Sequence, residues 1–463
     1  MNRRVAERAG VLVVGNGMAT DRLLDELDAR GALQRLGVTV VGEEPFGSYN
    51  RMLLSRVLAG GHPDTITTKP LDWFAEHGVR LLAARRVQRL EVAAHLAHIG
   101  DGETIAYRTA VIATGSAPLL PPIAGLTDGG GRRTPGVHVM RSMEDVLQLR
   151  DDLGAHHDVR DAVIVGGGLL GLEAAKASRD LGHRATVIHP FPHLMESQLD
   201  ETGGGLLRAA MVGLGIDVVV GKLEAVLARH GESRPGRVEA LRLEDGRLLP
   251  ADAVVVTTGV RPRVEVARDS GIETNYGIVV DDRLATSAPG VHAIGECAQH
   301  RGVTFGFAAP CWDHAAVLAD LLAGTDPAAR YGGTATYSRL KVAGIDVASL
   351  GGAVTADADD DVLEVLERRR GVYRKLVVRH HRLVGAILVG DASQAPSLIR
   401  LLDRGEPLPE NPLDLFCSSD AYRDDQTAGG TLCACNRVGE GAVVEAIAAG
   451  HDTVEQIGAA TRA

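Results

Sequence analysis

The feature that most constrains the fold of this chain is a unit of strand, glycine turn, helix and strand that occurs twice. In the first copy the apolar run Val11–Val14 leads into Gly15-Asn-Gly17, and in the second copy Ala162–Val165 leads into Gly166-Gly-Gly168. Short, continuous runs of mostly β-branched residues are typical of buried parallel strands. The repeat therefore predicts two α/β units, each built on a parallel sheet.

Each glycine turn is followed by a helical segment and a second strand, which together complete a βαβ unit. The helical segments are 21–36 and 172–181, and the second strands are 38–41 and 185–188. In such a unit the backbone N–H groups of the turn and the helix N-terminus lie where a pyrophosphate can bind. The sequence therefore predicts two dinucleotide sites.

The first predicted site consists of Gly15, Gly17, Met18 and Ala19 at the turn. Gly15 permits the turn, and Gly17 lets the backbone approach a phosphate group. Thr20 occupies the third glycine position of the fingerprint, where Gly or Ala is expected. We therefore expect the helix to pack more loosely against the strand in this copy.

An acidic residue follows the second strand of the first copy at the place where dinucleotide sites bind ribose. Glu43 comes after Val38–Val41, and the fingerprint expects an acid about 20 residues beyond the turn. A carboxylate at this position accepts hydrogen bonds from the ribose hydroxyls. Glu43 is therefore a predicted ligand of the first dinucleotide.

The second copy carries the complete fingerprint of Gly166, Gly168 and Gly171, with Leu170 inside it. Its second strand ends at His189, whereas an acid there would favour NAD and a nearby arginine would favour NADP. A neutral imidazole can bind a ribose hydroxyl but supplies no fixed positive charge for a 2′-phosphate. NADH and NADPH both stay open from the sequence, with NADH favoured.

Three further motifs follow predicted strands: Thr114-Gly115, Gly259 in a second Thr-Gly turn, and the pair Gly295-Glu296. With the two βαβ units, they resemble the pyridine nucleotide–disulfide oxidoreductase superfamily from residue 11 to about residue 325. The resemblance implies that the first unit binds FAD and that the inserted second unit binds NAD(P)H. It also implies that Gly295-Glu296, which is Gly-Asp in the family, holds the flavin ribityl chain and phosphate.

Two charged residues match family positions near the nicotinamide ring and the flavin ring. Glu173, just inside the helix of the second unit, matches an acid near the nicotinamide, and the alternative is an exposed glutamate on a helix surface. Arg51 matches a residue near the flavin, and the alternative is a surface arginine at a helix start. The resemblance assigns both residues, with Thr114, Gly115 and Gly259, to the cofactor sites.

The segment after the second strand of the first unit identifies a branch of this superfamily. Members that reduce disulfides carry a redox cysteine pair there, but residues 45–55 contain no cysteine. Tyr49-Asn-Arg51 followed by Leu54-Ser55 instead resembles the rubredoxin and ferredoxin reductases, and most closely the FAD domain of assimilatory NAD(P)H nitrite reductase large subunits. The resemblance implies hydride transfer through the flavin, with no catalytic residue or dithiol supplied by the protein.

Cys433-Ala-Cys435 has the spacing of two thiolate ligands on one iron atom. With the helical pieces after it and Thr461-Arg-Ala463, it resembles the [2Fe–2S] domain of bacterioferritin-associated ferredoxins and nitrite reductases. That domain has a second cysteine pair beyond Thr-x-Ala, whereas Cys417 is the only other cysteine near this segment. We therefore expect no stable cluster unless a longer parent chain or a partner supplies the missing ligands. A natural truncation that passes electrons directly from the flavin is the alternative.

Composition and charge exclude several classes of function. A net charge of −11 offers no basic excess for nucleic acid, and five cysteines do not make a disulfide framework. No apolar run reaches the roughly 18 residues that a membrane span needs. We therefore expect a cytoplasmic protein without a nucleic-acid or membrane partner.

The predicted fold class is α/β, with two Rossmann-like dinucleotide-binding domains, a small α+β domain and a short helical CxC segment. Apolar segments of strand length mark the small domain, and a stretch rich in Pro, Asp and Ser marks a linker. The predicted boundaries are 1–125 and 261–330 for the FAD-binding domain, 126–260 for the NAD(P)H-binding domain, 331–405 for the small interface domain, 406–430 for the linker and 431–463 for the partial [2Fe–2S] domain.

These patterns together predict an FAD-dependent NAD(P)H oxidoreductase that passes electrons to an iron–sulfur or other redox partner in nitrite or nitrate assimilation. Two alternatives stay open: a ferredoxin or rubredoxin reductase with a diffusible acceptor, and a flavin-binding redox sensor that turns over slowly. The sequence decides neither the physiological acceptor nor the oligomeric state, for which a homodimer is one option.

Overall fold

The computed structural model describes most of the 463-residue chain. The described residues are 5–128, 130–154, 160–231, 234–334, 337–342, 345–417, 431–433 and 438–461. The chain forms two compact units, of which the first contains Met1–Pro190 with Gly221–Thr334 and the second Phe191–Val220 with Ala335–Ala463. Among the helices of the described residues, none combines the length and the hydrophobicity that a membrane span requires.

The first unit begins with a mixed sheet that contains the first glycine turn. Its elements are β1 Val5–Val14, α1 Met18–Ala29, α2 Leu33–Leu36, β2 Val38–Val41, β3 Ser48–Tyr49, α3 Leu54–Leu58, β4 Thr67–Lys69, α4 Leu71–Glu76, β5 Arg80–Leu82, β6 Val87–Glu91, β7 Leu96–Ile99, β8 Thr104–Ile112 and β9 Ser116–Pro118. The strand order is β5-β2-β1-β8-β7-β6, and β1 runs parallel to both β2 and β8. The carboxyl ends of these three strands therefore lie at one edge of the sheet.

The second glycine turn belongs to an α/β module inserted into the same unit. Its elements are β10 Val137–Val139, α5 Met143–Gly154, β11 Asp161–Val165, α6 Leu169–Asp180, β12 Arg184–His189, β14 Leu223–Gly231, β15 Arg234–Leu243, β16 Leu248–Pro250 and β17 Ala253–Val256. Strands β10, β17, β11 and β12 are neighbours in that order and run parallel. Strands β14, β15 and β16 form a separate antiparallel sheet.

The chain returns from the inserted module beside the segment by which it left. Its remaining elements in this unit are β18 Val260–Pro262, α8 Glu265–Asp269, β19 Ile278–Val280, β20 Val291–Ala293, β21 Ala298–His300 and α9 Ala308–Ala323. Strand β18 pairs antiparallel with β9, and β20 joins the first sheet parallel to β8. The 3₁₀ turn Gly295–Cys297 follows β20 and so lies at the same sheet edge as the first glycine turn.

The second unit is built around an antiparallel sheet with the strand order β22-β23-β26-β25-β24. The elements of this unit are α7 Glu201–Gly213, β13 Ile216–Val220, β22 Tyr337–Val342, β23 Ile345–Gly351, β24 Asp361–Glu367, β25 Val372–Arg379, β26 Arg382–Val389, α10 Ala395–Arg404, α11 Asp414–Cys417, β27 Thr431–Cys433, β28 Val438–Gly439, α12 Glu440–Ala448 and α13 Val454–Thr461. Helix α10 packs on the sheet and buries Leu398 and Leu401 in its core.

The structure confirms the predicted α/β fold class, with two Rossmann-like modules and an α+β domain after them. The single helix predicted over 21–36 is instead two helices, α1 and α2, because Gly31 takes a φ of +60° between them. The looser packing expected at Thr20 stays a prediction. Thr20 is fully buried, and its hydroxyl donates a hydrogen bond to Gly15 O at 2.8 Å, which fastens α1 to the turn.

The linker predicted over 406–430 differs from the structure in its described part. Leu408, Leu415 and Phe416 are buried in the core of the second unit. Arg374 of β25 donates a hydrogen bond to the carbonyl oxygen of Phe416 at 2.8 Å, which holds α11 on the sheet. The Pro and Asp residues of this segment are typical of a linker. Burial of its three apolar side chains nevertheless favours packing against the sheet.

The predicted [2Fe–2S] segment is described only in part. Cys433 ends β27, which pairs antiparallel with β28, whereas Cys435 lies outside the described residues. The two helical pieces predicted after the cysteines are present as α12 and α13. The metal-ligand role of the two cysteines therefore stays a prediction.

A buried lysine fastens the segment after β2 to helix α1. Lys69, at the end of β4, is fully buried, and its ammonium group lies 2.7 Å from Asp21 Oδ1 and 2.8 Å from Asp25 Oδ1. The same ammonium group lies 5.0 Å from the centroid of the Trp73 ring. A buried cation is tolerated only with partners of this kind. Lys69 thus anchors the β3–β4 pair, between whose strands Arg51 lies in sequence.

We expect Lys69→Met to lower the free energy of unfolding by about 3 kcal/mol, because two carboxylates lose their shared buried cation. Urea unfolding followed by circular dichroism measures this change. Lys222→Met, at an exposed position, is the matched control and should change stability by less than about 0.5 kcal/mol. Equal urea midpoints for Lys69→Met and the wild type would contradict the anchoring role.

Candidate dinucleotide-binding sites

Gly15 is the residue at which strand β1 turns towards helix α1. Its φ is +113°, and a Cβ atom there would lie 2.3 Å from the carbonyl oxygen of Ala113, just after β8. Only glycine tolerates both this conformation and this contact. The turn after β1 and the turn after β8 are therefore held side by side.

Gly17 precedes α1 and borders open space. The nearest heavy atom to a Cβ built on Gly17 is Arg51 Nε, at 4.0 Å, and no side chain caps the helix there. Open backbone beside a helix N-terminus is a suitable site for a phosphate group. The geometry at Gly17, Met18 and Ala19 therefore fits the pyrophosphate that the sequence predicts.

The turn after β8 brings a second group of predicted residues to the same edge. A Cβ on Gly115 would lie 3.8 Å from Glu296 Oε2 and 3.9 Å from Arg141 Nη2. Glu296 accepts a hydrogen bond from Ser116 Oγ at 2.8 Å and forms an ion pair with Arg141. The Thr114-Gly115 turn and the late Gly-Glu pair thus come together from distant parts of the chain.

Gly295 connects this late pair to the first glycine turn. Its φ is +79°, and a Cβ there would lie 2.9 Å from the Cβ of Ala19. The Gly295 N–H donates a hydrogen bond to His314 Nδ1 at 3.1 Å. His314 is fully buried, and burial lowers its pKa to about 3. The imidazole is therefore neutral and keeps Nδ1 as an acceptor for the turn.

Glu43, the predicted ribose ligand, lies two residues beyond β2 and is exposed to solvent. Its carboxylate pairs with Arg263 and lies 3.4 Å from the Arg86 guanidinium. The carbonyl oxygen of Arg263 accepts a hydrogen bond from Thr114 Oγ1 at 2.8 Å. The backbone N–H of Arg263 donates a hydrogen bond to Gly115 O at 2.9 Å. The position of Glu43 at the strand end fits a ribose contact, which stays a prediction.

The second glycine turn repeats this geometry with a complete fingerprint. Gly166 has a φ of +119°, and a Cβ on Gly171 would lie only 2.0 Å from Gly166 O and 2.7 Å from Thr257 Oγ1. No heavy atom of the described residues lies within 4 Å of a Cβ built on Gly168. Leu170 is half-buried in the first turn of α6. This turn therefore leaves room for a second phosphate group.

His189 ends β12 but is buried, with 4% of its surface exposed. Its Nδ1 accepts a hydrogen bond from the Gly167 N–H at 3.1 Å, so the imidazole holds the second glycine turn. The predicted contact of His189 with ribose stays a prediction. Gly259, with a φ of +109°, accepts a hydrogen bond from the Leu119 N–H at 2.9 Å and links the two connections of the inserted module.

Glu173 lies on α6, which packs beside α3. Burial raises the pKa of its carboxyl to about 7, while a hydrogen bond with Ser55 and the charge of Arg56 oppose that rise. The alternative of an exposed surface glutamate does not fit, because Glu173 is half-buried against α3. The role of Glu173 near a nicotinamide stays a prediction.

Arg51 is also not a free surface charge. Its Nη2 lies 2.5 Å from Glu44 Oε1, and its Nη1 donates a hydrogen bond to the carbonyl oxygen of Arg141 at 3.0 Å. The guanidinium carbon lies 5.0 Å from the centroid of the Tyr49 ring. Arg51 Nε lies 4.0 Å from a Cβ built on Gly17, so Arg51 is beside the first glycine turn. Its position near the first dinucleotide stays a prediction.

Several residues at these sites were not found by sequence reasoning. The structure adds Glu44, Ser116, Arg141, Thr257, Arg263 and His314. Most of them follow a strand end by one to three residues, which is a signal that the sequence carries. His314 lies within helix α9 and has no such signal, because only the packing of α9 brings it to Gly295.

Comparison with known families agrees with this geometry. Residues 9–315 match the family model of pyridine nucleotide-disulphide oxidoreductases, and residues 337–406 match that of the rubredoxin NAD+ reductase C-terminal domain. The chain therefore belongs to the pyridine nucleotide-disulphide oxidoreductase family. This membership confirms the superfamily predicted from the glycine turns.

Two curated relatives from Bacillus subtilis match nearly the whole chain. A nitrite reductase [NAD(P)H] is 34% identical over 98% of this chain and 55% of its own length. An assimilatory nitrate reductase electron transfer subunit is 32% identical over 98% of this chain and 57% of its own length. The chain thus spans about half the length of the relatives it matches.

Solved structures share the fold at lower sequence identity. Putidaredoxin reductase in its covalent complex with putidaredoxin has a TM-score of 0.77 and 21% identity, over 89% of this chain and 96% of that one. NADH:rubredoxin oxidoreductase from Clostridium acetobutylicum has a TM-score of 0.69 and 22% identity, over 89% and 99%. These similarities confirm the fold.

We expect Gly171→Ala to displace the second glycine turn, because the new Cβ would collide with Gly166 O. Binding of NAD(P)H should weaken by roughly tenfold or more, equivalent to about 1.4 kcal/mol, while flavin content stays unchanged. Isothermal titration with the nucleotide measures the effect. Gly205→Ala in α7, where no described heavy atom lies within 4 Å, is the matched control. Unchanged nucleotide affinity in Gly171→Ala would contradict the assignment.

We expect His314 to make the free energy of unfolding depend on pH in the acid range. Since its folded pKa is about 3 and the ordinary value is about 6.5, only the unfolded state binds the proton between these values. The free energy of unfolding therefore falls as the pH drops below about 6.5, by at most about 1.4 kcal/mol per pH unit. His314→Gln keeps an acceptor for Gly295 and should flatten this slope in urea unfolding. An identical slope in the variant would sink the idea.

Proposed function

We propose that this protein is an FAD-dependent NAD(P)H oxidoreductase that passes electrons from NAD(P)H through the flavin to a redox partner. The observation that carries the proposal is the pair of glycine turns with open backbone, at Gly17 and Gly168, in a chain of this family. FAD would bind at the first turn and NAD(P)H at the second turn, in the inserted module.

The residues of the chain would bind and orient the two dinucleotides. The Gly17 turn would hold the FAD pyrophosphate, Glu43 the ribose, and Glu296 with Arg141 the ribityl and phosphate region. When bound, FAD accepts a hydride on its isoalloxazine ring and can release electrons one at a time. The Glu173 carboxyl, with a pKa of about 7, can hold a proton at neutral pH.

Two of the described cysteines, Cys297 and Cys311, support a mechanism without a dithiol. Cys297 and Cys311 are free and buried, and burial raises the pKa of both thiols. A buried thiol with a raised pKa is a poor nucleophile. No cysteine occurs between residues 45 and 55, where disulfide reductases of this superfamily would need one.

The names of the two Bacillus subtilis relatives support nitrite or nitrate assimilation as the process that receives the electrons. The reduction of the final acceptor would then take place on a partner or on another part of the protein. A [2Fe–2S] cluster at Cys433 and Cys435 would need further ligands from such a source. The predicted domain boundaries up to residue 405, a cytoplasmic location and the choice of NADH are parts of the same proposal.

A ferredoxin or rubredoxin reductase is the second candidate. It is supported by the match of residues 337–406 to the rubredoxin NAD+ reductase C-terminal domain. Steady-state reduction of rubredoxin, ferredoxin and an artificial acceptor distinguishes the two candidates. Slow turnover with every acceptor would favour the third alternative, a flavin-binding redox sensor.

We expect the purified protein to contain one FAD and to be reduced anaerobically by NADH more efficiently than by NADPH, since His189 brings no fixed positive charge. The loss of absorbance of the oxidised flavin in a stopped-flow instrument measures both rates. Alkylation of the cysteines should leave the reduction intact. A colourless protein that ignores added FAD would contradict the proposal, and loss of reduction after alkylation of the folded protein would revive a dithiol mechanism.

A further inference from the structure

Three side chains after strand β2 form a hydrogen-bonded cluster whose contacts with the start of the inserted module have no part in the proposed function. This cluster, here called the clasp, consists of Glu44, Tyr49 and Arg51. Tyr49 OH donates a hydrogen bond to Glu44 Oε2 at 2.7 Å, and Arg51 Nη2 lies 2.5 Å from Glu44 Oε1. The Arg51 guanidinium lies 5.0 Å from the centroid of the Tyr49 ring, and Tyr49 is 4% exposed.

The clasp binds backbone groups that lie about 90 residues further along the chain. The Met143 N–H donates to Tyr49 OH at 3.0 Å and lies 3.3 Å from Glu44 Oε2. Arg51 Nη1 donates a hydrogen bond to the carbonyl oxygen of Arg141 at 3.0 Å. All three side chains therefore act on the short segment 141–143.

This segment is where the chain enters the inserted module. Helix α5, the first helix of that module, begins at Met143, and Ser142 Oγ accepts a hydrogen bond from the Asp145 N–H at 3.1 Å. The side chain of Arg141 pairs with Glu296, which belongs to the predicted flavin site. The segment thus contacts the predicted flavin site on one side and starts the nicotinamide module on the other.

The electrostatics of the clasp favour a single rigid arrangement. The negative charge of Glu44 compensates the positive charge of Arg51, and burial and the nearby carboxylate raise the pKa of Tyr49, so the phenol keeps its proton. With that proton donated to Glu44, the phenol oxygen can accept the Met143 N–H. A satisfied polar network of this kind specifies one geometry.

We propose that the clasp is a positioning device that sets where the inserted nicotinamide module lies relative to the flavin during hydride transfer. The proposal rests on the proposed function, in which a hydride leaves the nicotinamide and reduces the flavin by two electrons. Such a transfer depends steeply on the distance and orientation of the two rings, and misplacement by about 1 Å can cost about a hundredfold in rate. A clasp on the connection between the two modules is suited to control that placement.

Tyr49→Phe and Glu44→Gln test this role. Tyr49→Phe keeps the ring beside Arg51 and removes the hydroxyl that accepts the Met143 N–H, and Glu44→Gln removes the charge that holds Arg51. Glu224→Gln is the matched control, because Glu224 forms an exposed pair with Arg242 at 2.7 Å in the β14–β15 sheet. If Glu44→Gln does not fold, Tyr49→Phe alone carries the test.

The first readout is hydrogen exchange of the Met143 amide, measured by mass spectrometry on protein with and without FAD. Opening of this local contact should speed exchange by about tenfold in both clasp variants and not in the control. The second readout is the limiting rate of flavin reduction at saturating NADH, which should fall by roughly tenfold or more. The dissociation constant of NADH should stay within about twofold in both variants, because the clasp contacts segment 141–143 and not the second glycine turn. The FAD content should stay within about twofold in Tyr49→Phe, which keeps the ion pair of Arg51 with Glu44.

The outcomes separate the proposal from the function on which it rests. A limiting rate that stays at the wild-type value while Met143 exchanges faster would overturn the positioning role. Loss of FAD in step with the rate in Tyr49→Phe would overturn it as well, since the clasp would then hold the cofactor. A wild-type protein that neither NADH nor NADPH reduces would refute the proposed function, whereas faster exchange in the variants would still support the clasp contact.

Discussion

The close approach of two backbone turns, one after β1 and one after β8, is the constraint on which the first site depends. A Cβ on Gly15 would lie 2.3 Å from Ala113 O, so no other residue fits there. Because β1 lies between β2 and β8 and runs parallel to both, Glu43 and the Thr114-Gly115 turn reach the same edge. The predicted residues of the first dinucleotide site therefore lie around the contact between Gly15 and Ala113 O.

Arginines at this edge are held by carboxylates of the chain itself. The pairs are Arg51 with Glu44, Arg141 with Glu296, and Arg263 with Glu43. A side chain whose position is already fixed loses less conformational entropy when it contacts a ligand. Preorganised charge of this kind suits a site that must hold a pyrophosphate and align two rings at the same time.

Much of the fold could be predicted because its signals are local. The helix predicted over 172–181 is α6, Leu169–Asp180, and the strand predicted over 185–188 is β12, Arg184–His189. The linker prediction failed over 406–417, because isolated apolar residues such as Leu408 and Phe416 show no periodicity until the sheet beneath them is known.

The amino-acid sequence alone predicts where the chain turns through glycine, which segments become buried strands, and that two dinucleotide units are present. These properties follow from the backbone conformation and apolar pattern of neighbouring residues. Which charged side chains form ion pairs depends on the tertiary structure. In the sequence, 155 residues separate Arg141 from Glu296, and 220 separate Arg263 from Glu43. No local sequence pattern can therefore predict either ion pair. The physical reason is that ion-pair partners are chosen by the packing of whole elements, whereas a positive φ is imposed at a single residue.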